Sequence, residues 1–127
     1  MNKKEREKRE RNKKDKEWKK KVKENWKECV VCGDKYKLNA HHIIPKEVKD
    51  FRWDIDNGIA VCATHHKWSR EISAHKNPFI FYKFLETNEK AKEQLSRLLK
   101  KYNKKANEQL SRLLNKYYNK QENDNNN

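Results

Sequence analysis

All three cysteines and four of the five histidines of this 127-residue chain lie between residues 29 and 66. Two short motifs stand out in this segment, Cys29-x-x-Cys32 and Cys62-x-x-His65, with 29 residues between them. The spacing within each motif lets one turn present two ligands to the same metal ion. Together the motifs predict a closed structural zinc site with three thiolates and one imidazole. Three buried thiols beside an unrelated histidine are the alternative, which is less favoured because the two motifs together use every cysteine.

A zinc site would compensate for a small hydrophobic core. Only 33% of the residues are hydrophobic and 41% are charged, which argues against a large core. A compact unit of about 50 residues usually needs a metal or disulfides to be stable. The odd cysteine count and the lack of a signal peptide argue against a disulfide framework. No stretch approaches about 18 consecutive apolar residues, which argues against a membrane span. We therefore expect an intracellular protein with no membrane contact and no secretion, in the cytoplasm of a bacterium or of a virus-infected host cell.

The net charge of +14 is concentrated in the two flanks of the chain. Residues 1–28 carry 14 Lys/Arg against 7 Asp/Glu, and residues 76–127 carry 12 against 6. Residues 29–75 carry 7 against 6 and are nearly neutral. This distribution favours a polyanionic partner that the flanks hold around a central site. The alternative is a basic surface that only keeps the protein soluble.

The central domain is predicted to span residues 29–86. Apolar and β-branched residues favour strands over Leu38–Ile44 and Ile59–Cys62. A helix is expected from Ala63 to about Ser73, and a second one at Pro78, with Asn77 as its N-cap. The loop between the strands contains four apolar residues that we expect in the core: Val48, Phe51, Trp53 and Ile55.

Both flanks are predicted to be helical. Residues 1–28 form a basic helical arm, and its apolar residues Trp18, Val22 and Trp26 are expected to dock on the central domain. Residues 87–120 form an amphipathic helical extension, as one helix or as two with a break near residues 103–107.

The extension contains a 15-residue repeat, since Glu93–Leu99 recurs as Glu108–Leu114. Its apolar stripe is a candidate surface for a partner protein or for self-association. The polar residues 121–127 are predicted to form a disordered tail.

The paired histidines His41 and His42 require a different explanation from the zinc motifs. Neighbouring residues in a strand point to opposite faces, so both cannot bind one metal ion in a regular strand. A hydrolytic site needs a Lewis acid for the phosphate oxygens and a base that activates water. With a local bend, His41 and His66 can hold the metal ion while His42 takes the proton. His75 is a candidate extra ligand, and Asp54 or Asp56 can instead supply a carboxylate.

The run from Cys29 to about Leu85 resembles the HNH endonuclease family, which has a ββα-metal fold. It is similar to the small phage and mobile-element members with a Cys/His zinc frame. The matching motifs are Cys-x-x-Cys, His-His-Ile-Ile-Pro, Asn-Gly-Ile and Cys-x-x-His-His. The resemblance implies an α+β fold in which a ββα-metal core with a structural zinc site is flanked by basic N-terminal and C-terminal helices.

The resemblance also implies residue roles. His41 and His66 bind a catalytic divalent metal ion (Mg, Mn, Ni or Zn), His42 is the general base, and Asn57 orients the loop that holds His42. The structural zinc ligands are Cys29, Cys32, Cys62 and His65. The implied function is metal-dependent hydrolysis of DNA phosphodiester bonds.

Two questions stay open from the residues themselves. His65 and His66 are adjacent, so either can in principle serve either metal ion, although the register favours His66 for catalysis. A non-catalytic, zinc-stabilised DNA-binding module, or an adaptor in a phage or mobile-element machine, is the alternative function. The joint presence of His42, Asn57 and His66 favours the enzyme.

Overall fold

The computed structural model describes the backbone of residues 1–125 and the side chains of residues 1–122. Its main elements are α1 (Lys3–Trp26), β1 (Asn39–His42), β2 (Gly58–Val61), α2 (Pro78–Leu85) and α3 (Glu89–Asn125). The chain divides into two compact units, Met1–Leu95 and Ser96–Asn127. The predicted α+β class is confirmed.

The first unit is built around a short antiparallel sheet. β1 pairs with β2 in a register that sets Asn39 opposite Val61 and His42 opposite Gly58. Every residue of β2 is buried, so this strand lies at the centre of the core. β1 lies within the predicted Leu38–Ile44 but is only four residues long, and β2 begins and ends one residue before the predicted Ile59–Cys62.

The loop between the strands contributes less to the core than predicted. Phe51 is buried, but Val48, Trp53 and Ile55 are each close to two-fifths exposed. Two short 3₁₀ turns, Lys49–Phe51 and Ile55–Asn57, shape this loop. They turn three of its four apolar side chains towards solvent, which the sequence pattern does not reveal.

Helix α1 packs directly on the sheet. Trp18, Val22 and Trp26 are buried, as predicted. The indole N–H of Trp18 donates to the carbonyl of Asp54 at 2.8 Å, and that of Trp26 donates to the carbonyl of Gly58 at 3.2 Å. These bonds satisfy polar groups that the core would otherwise bury unpaired.

Gly58 allows this close approach. A Cβ atom at this position would overlap the Val22 side chain and lie 2.7 Å from Cζ2 of Trp18. Glycine is therefore needed here because there is no space for a side chain. Its backbone conformation is not the reason, because the extended angles (φ −130°, ψ 136°) are open to any residue. Helix α1 therefore belongs to the same compact unit as the sheet.

Helix α2 and the start of α3 complete the first unit. α2 begins as predicted, since the side chain of Asn77 accepts a hydrogen bond from the amide of Ile80 and Pro78 occupies the first turn. Phe81 and Leu85 of α2 are fully buried. At the start of α3, the buried Gln94 donates to the carbonyls of Asp56 and Gly58.

Helix α3 is continuous from Glu89 to Asn125, so the extension forms one helix and not two with a break near residues 103–107. Helical backbone continues through residues 121–125, where the sequence predicts disorder, and residues 126–127 lie outside the described part. Residues 121–125 contain no Gly or Pro to end the helix, and Gln121 and Glu122 are good helix formers. In the second unit, apolar side chains of the repeat such as Leu110 and Leu113 are more than half exposed. A partner on this stripe stays a prediction.

Candidate active site and metal centres

The first cluster of ligands consists of Cys29, Cys32, Cys62 and His65. Their ligand atoms all lie within 4.8 Å of one another. The Sγ atoms of Cys32 and Cys62 are 3.8 Å apart, and Nδ1 of His65 lies 3.2 Å from Sγ of Cys62 and 3.8 Å from Sγ of Cys29. A tetrahedral ion with Zn–S bonds of about 2.3 Å keeps two sulfur ligands about 3.8 Å apart. The donor set and its spacing therefore fit a zinc ion.

A tight turn presents the first pair of thiols. The amide of Gly33 donates to the carbonyl of Cys29 at 2.9 Å, and the amide of Cys29 donates to the carbonyl of Asp34 at 2.8 Å. Gly33 adopts a φ of +78°, which glycine accepts without strain. The amide of Val30 donates to the carbonyl of Ala60 in β2, which ties the turn to the sheet.

In the second pair of ligands, Cys62 directly follows β2 and His65 lies in a π-helical turn, Thr64–Trp68. The helix predicted from Ala63 to Ser73 is wrong in type and length, because the backbone becomes extended at Ser69. This wide turn separates two adjacent side chains. His65 joins the cysteine cluster, whereas His66 joins a second cluster. π-Turns are often found at functional sites.

His75 reaches this second cluster because the chain folds back after the π-turn. The amide of Ala74 donates to the carbonyl of His65 at 2.9 Å, and the amide of His75 donates to that of His66 at 3.0 Å. The hydroxyl of the buried Ser73 also donates to the carbonyl of His66. These short-range bonds set the two imidazoles side by side.

The second cluster consists of His41, His66 and His75, whose ligand atoms also lie within 4.8 Å of one another. Nε2 of His66 and Nε2 of His75 are 2.9 Å apart. The ring of His41 lies 5.3 Å from each of the other two rings, and its Nε2 is 3.5 Å from the hydroxyl of Tyr82. Three imidazoles that converge in this way fit a divalent metal ion that retains open coordination positions.

The electrostatics of the cluster favour neutral rings. Burial, together with the neighbouring histidines, lowers the pKa of His41 to about 3. Burial, with His75 and Lys67 nearby, lowers the pKa of His66 to about 4. Neutral imidazole is the form that binds metal ions, so both rings are ready ligands at neutral pH.

His42 lies outside this cluster, against α1. Its ring stacks on Trp18 with 3.8 Å between ring centroids and 7° between planes. Its Nε2 lies 2.9 Å from the carbonyl oxygen of Arg52. A carbonyl only accepts, so Nε2 carries the proton and Nδ1 is the basic nitrogen of the neutral ring. Burial lowers the pKa of His42 below its ordinary value.

Asn57 braces the backbone on both sides of the loop. Its Nδ2 donates to the carbonyls of Ile44 and Phe51, both at 2.9 Å, and its Oδ1 accepts from the amide of Ile44 at 2.6 Å. The side chain is fully buried. Asn57 thus connects the end of β1 to the segment that accepts the hydrogen bond of His42.

The four histidines other than His65 line one cleft of about 410 Å³. His41 and His42 are neighbours in β1, yet both line this cleft, because they lie at the end of the strand beside the same opening.

The carboxylate alternatives are not supported by the described residues. Asp54 accepts a hydrogen bond from the amide of Asp56 at 2.9 Å, and neither joins a cluster that can hold a metal ion.

Sequence reasoning missed the contribution of α1 to the surroundings of His42. Asp15 accepts two hydrogen bonds from Arg52, at 2.9 and 2.7 Å, and one from the indole of Trp53 at 2.8 Å. The sequence around Asp15 gives little signal for this role, because α1 contains many charged residues. Only the spacing of three residues between Asp15 and Trp18 places this carboxylate beside the buried stripe of the helix.

The two-stranded sheet, the Cys/His cluster that could hold zinc and the neighbouring histidine cleft fit a ββα-metal core. A sequence model of the HNH endonuclease family matches residues 29–70, about a third of the chain. This match confirms the predicted resemblance. No curated protein and no solved structure matches the chain significantly.

Among the described residues, none of the helices has both the length and the apolar character needed to cross a bilayer.

Proposed function

We propose that this protein is a metal-dependent endonuclease that hydrolyses phosphodiester bonds in DNA. The observation that carries the proposal is the cleft in which His42 lies beside the cluster of His41, His66 and His75. The match to the HNH endonuclease family supports a nuclease in general.

In this proposal His41 and His66 hold the catalytic metal ion, with His75 as the third ligand. A divalent ion such as Mg²⁺, Mn²⁺, Ni²⁺ or Zn²⁺ supplies Lewis-acid stabilisation of the charge that develops on the phosphate. The zinc frame has a different task, because its four ligands form a closed set with no position left for substrate. It stabilises the fold.

His42 acts as the general base. Its Nδ1 accepts a proton from the attacking water, while the Nε2–H bond to the carbonyl of Arg52 holds the ring in the required tautomer. Asn57 supports this arrangement through the loop backbone. A histidine that is neutral at physiological pH suits the role of base.

Basic grooves along α1 are the proposed contacts with the DNA backbone. One groove of about 540 Å³ is lined by six cationic side chains, two glutamates and Trp53. The cations are Lys3, Arg6, Arg11, Lys14, Lys49 and Arg52. Contacts of this kind release counterions, so DNA affinity should fall steeply as salt rises.

The test is cleavage of supercoiled plasmid with and without Mg²⁺, Mn²⁺ or Ni²⁺, with His42→Ala beside wild type. A general base contributes roughly 10²–10⁴-fold in rate, so we expect a loss of that size with zinc content and DNA binding retained. Tyr36→Ala is the matched control, because this aromatic ring is 82% exposed and does not line the cleft.

Cleavage by His42→Ala at the wild-type rate would show that the base lies elsewhere or that a contaminant cuts the plasmid. If wild type binds DNA but does not cut it with any of the metal ions, the protein is instead a zinc-stabilised DNA-binding module.

A further inference from the structure

We infer that Asp15 and Trp18, both in α1, are positioning residues for His42. Both lie outside residues 29–70, the segment that matches the nuclease family. The inference rests on the proposed role of His42 as the base. It means that a helix N-terminal to the matched segment completes the active site.

Trp18 fixes one face of the His42 ring. The two rings are nearly parallel and 3.8 Å apart, which is stacking contact. Trp18 is itself only 3% exposed, and its N–H donates to the carbonyl of Asp54. Because packing and this hydrogen bond hold the indole, the imidazole cannot tilt towards α1.

Asp15 acts on His42 through Arg52. The carbonyl of Arg52 accepts the Nε2–H of His42, and the guanidinium of Arg52 makes a bidentate pair with Asp15. Bidentate pairs restrict geometry more than single contacts do. Hydrogen bonds from Arg52 also lower the pKa of Asp15 to about 2, so the carboxylate stays ionised at neutral pH.

Two anchors therefore hold the backbone that accepts the proton of His42. Asn57 binds the carbonyl of Phe51, and Asp15 binds the side chain of the next residue, Arg52. Loss of Asp15 removes one anchor, yet it touches neither the zinc ligands nor the three-histidine cluster. A displacement of about 1 Å in a catalytic group can cost up to about 10²-fold in rate.

The experiment uses the full-length, zinc-loaded protein and measures single-turnover cleavage, KM for plasmid, and the ¹⁵N chemical shifts of the two ring nitrogens of His42. For Asp15→Ala we expect a rate about 10-fold lower, shifts that move towards a mixture of tautomers, and a KM that does not rise, because the variant leaves Arg52 unpaired in the basic groove. Glu86→Ala, which breaks an exposed ion pair with Lys83, removes the same charge and should change none of the three.

Trp18→Phe keeps a stacking ring and should retain most of the rate, whereas Trp18→Ala should lower it. In an Arg52→Ala background, Asp15→Ala should have a smaller effect than in wild type, because only the hydrogen bond from Trp53 to Asp15 is then left to lose. Unchanged rate and unchanged ring-nitrogen shifts in Asp15→Ala would overturn the inference, even if Trp18→Ala fails to fold. If wild type cuts no DNA, the proposed function fails, but the ring-nitrogen shifts still decide whether Asp15 positions His42.

Discussion

Replacement of Gly58 by alanine tests whether α1 is part of the core. The backbone at Gly58 is extended, so alanine is conformationally acceptable and only space is at issue. The added Cβ would overlap Val22 and come within 2.7 Å of Trp18. Overpacking of this kind costs about 1–3 kcal/mol. A stiffer unfolded chain returns about 0.4–1 kcal/mol, so from the middle of the overpacking range we expect the free energy of unfolding to fall by roughly 1 kcal/mol.

The assay is urea denaturation of zinc-loaded protein at fixed zinc concentration, followed by tryptophan fluorescence and far-ultraviolet circular dichroism. Val22→Ala alone should cost about 2 kcal/mol, since it removes two methyl groups and leaves a cavity. The double variant should cost less than the sum of the two single variants, because Val22→Ala makes room for the new methyl group.

Gly33→Ala is the matched control, because Gly33 is the other glycine of the chain. Its Cβ would make only an ordinary van der Waals contact, with Oε2 of Glu28 3.8 Å away, but its φ of +78° strains alanine. We expect a cost of about 1–2 kcal/mol that Val22→Ala does not relieve. A Gly58→Ala protein within about 0.5 kcal/mol of wild type, the range of ordinary surface changes, would refute the packing argument.

Two further predictions concern the metal frame and the Asp15 pair. Protein purified without added zinc should retain one tightly bound zinc per chain, and a strong chelator should unfold residues 29–75 cooperatively. Metal analysis measures the zinc content and circular dichroism follows the unfolding. A folded, zinc-free protein would contradict the prediction. The pKa of Asp15 is lowered from 3.8 to about 2, so the stability that its pair contributes is fully present above pH 3.8 and is lost as the pH falls towards 2. The stability cost of Asp15→Asn should therefore be constant between about pH 5 and 8 in urea denaturation, and a cost that varies in this window would show that another group titrates.

The local part of this structure followed from the sequence. Ligand spacing in Cys29-x-x-Cys32 and Cys62-x-x-His65 indicated which side chains meet, and the structure brings those four together. Asn77-Pro78 correctly marked the start of α2. These features depend on residues a few positions apart, where backbone geometry leaves few alternatives.

Tertiary structure decided what surrounds His42 and how His75 is used. The Asp15–Arg52 pair joins residues 37 apart, and no periodic pattern identifies one carboxylate of a highly charged helix as the partner. His75 reaches His66 only because a π-turn replaces the expected helix and the chain folds back. Motif spacing thus determined which four residues form the Cys/His cluster that could hold zinc. The packing of α1 on Gly58 and the return of the chain to His66 decided the geometry of the cleft, because both depend on contacts between segments that the sequence keeps apart.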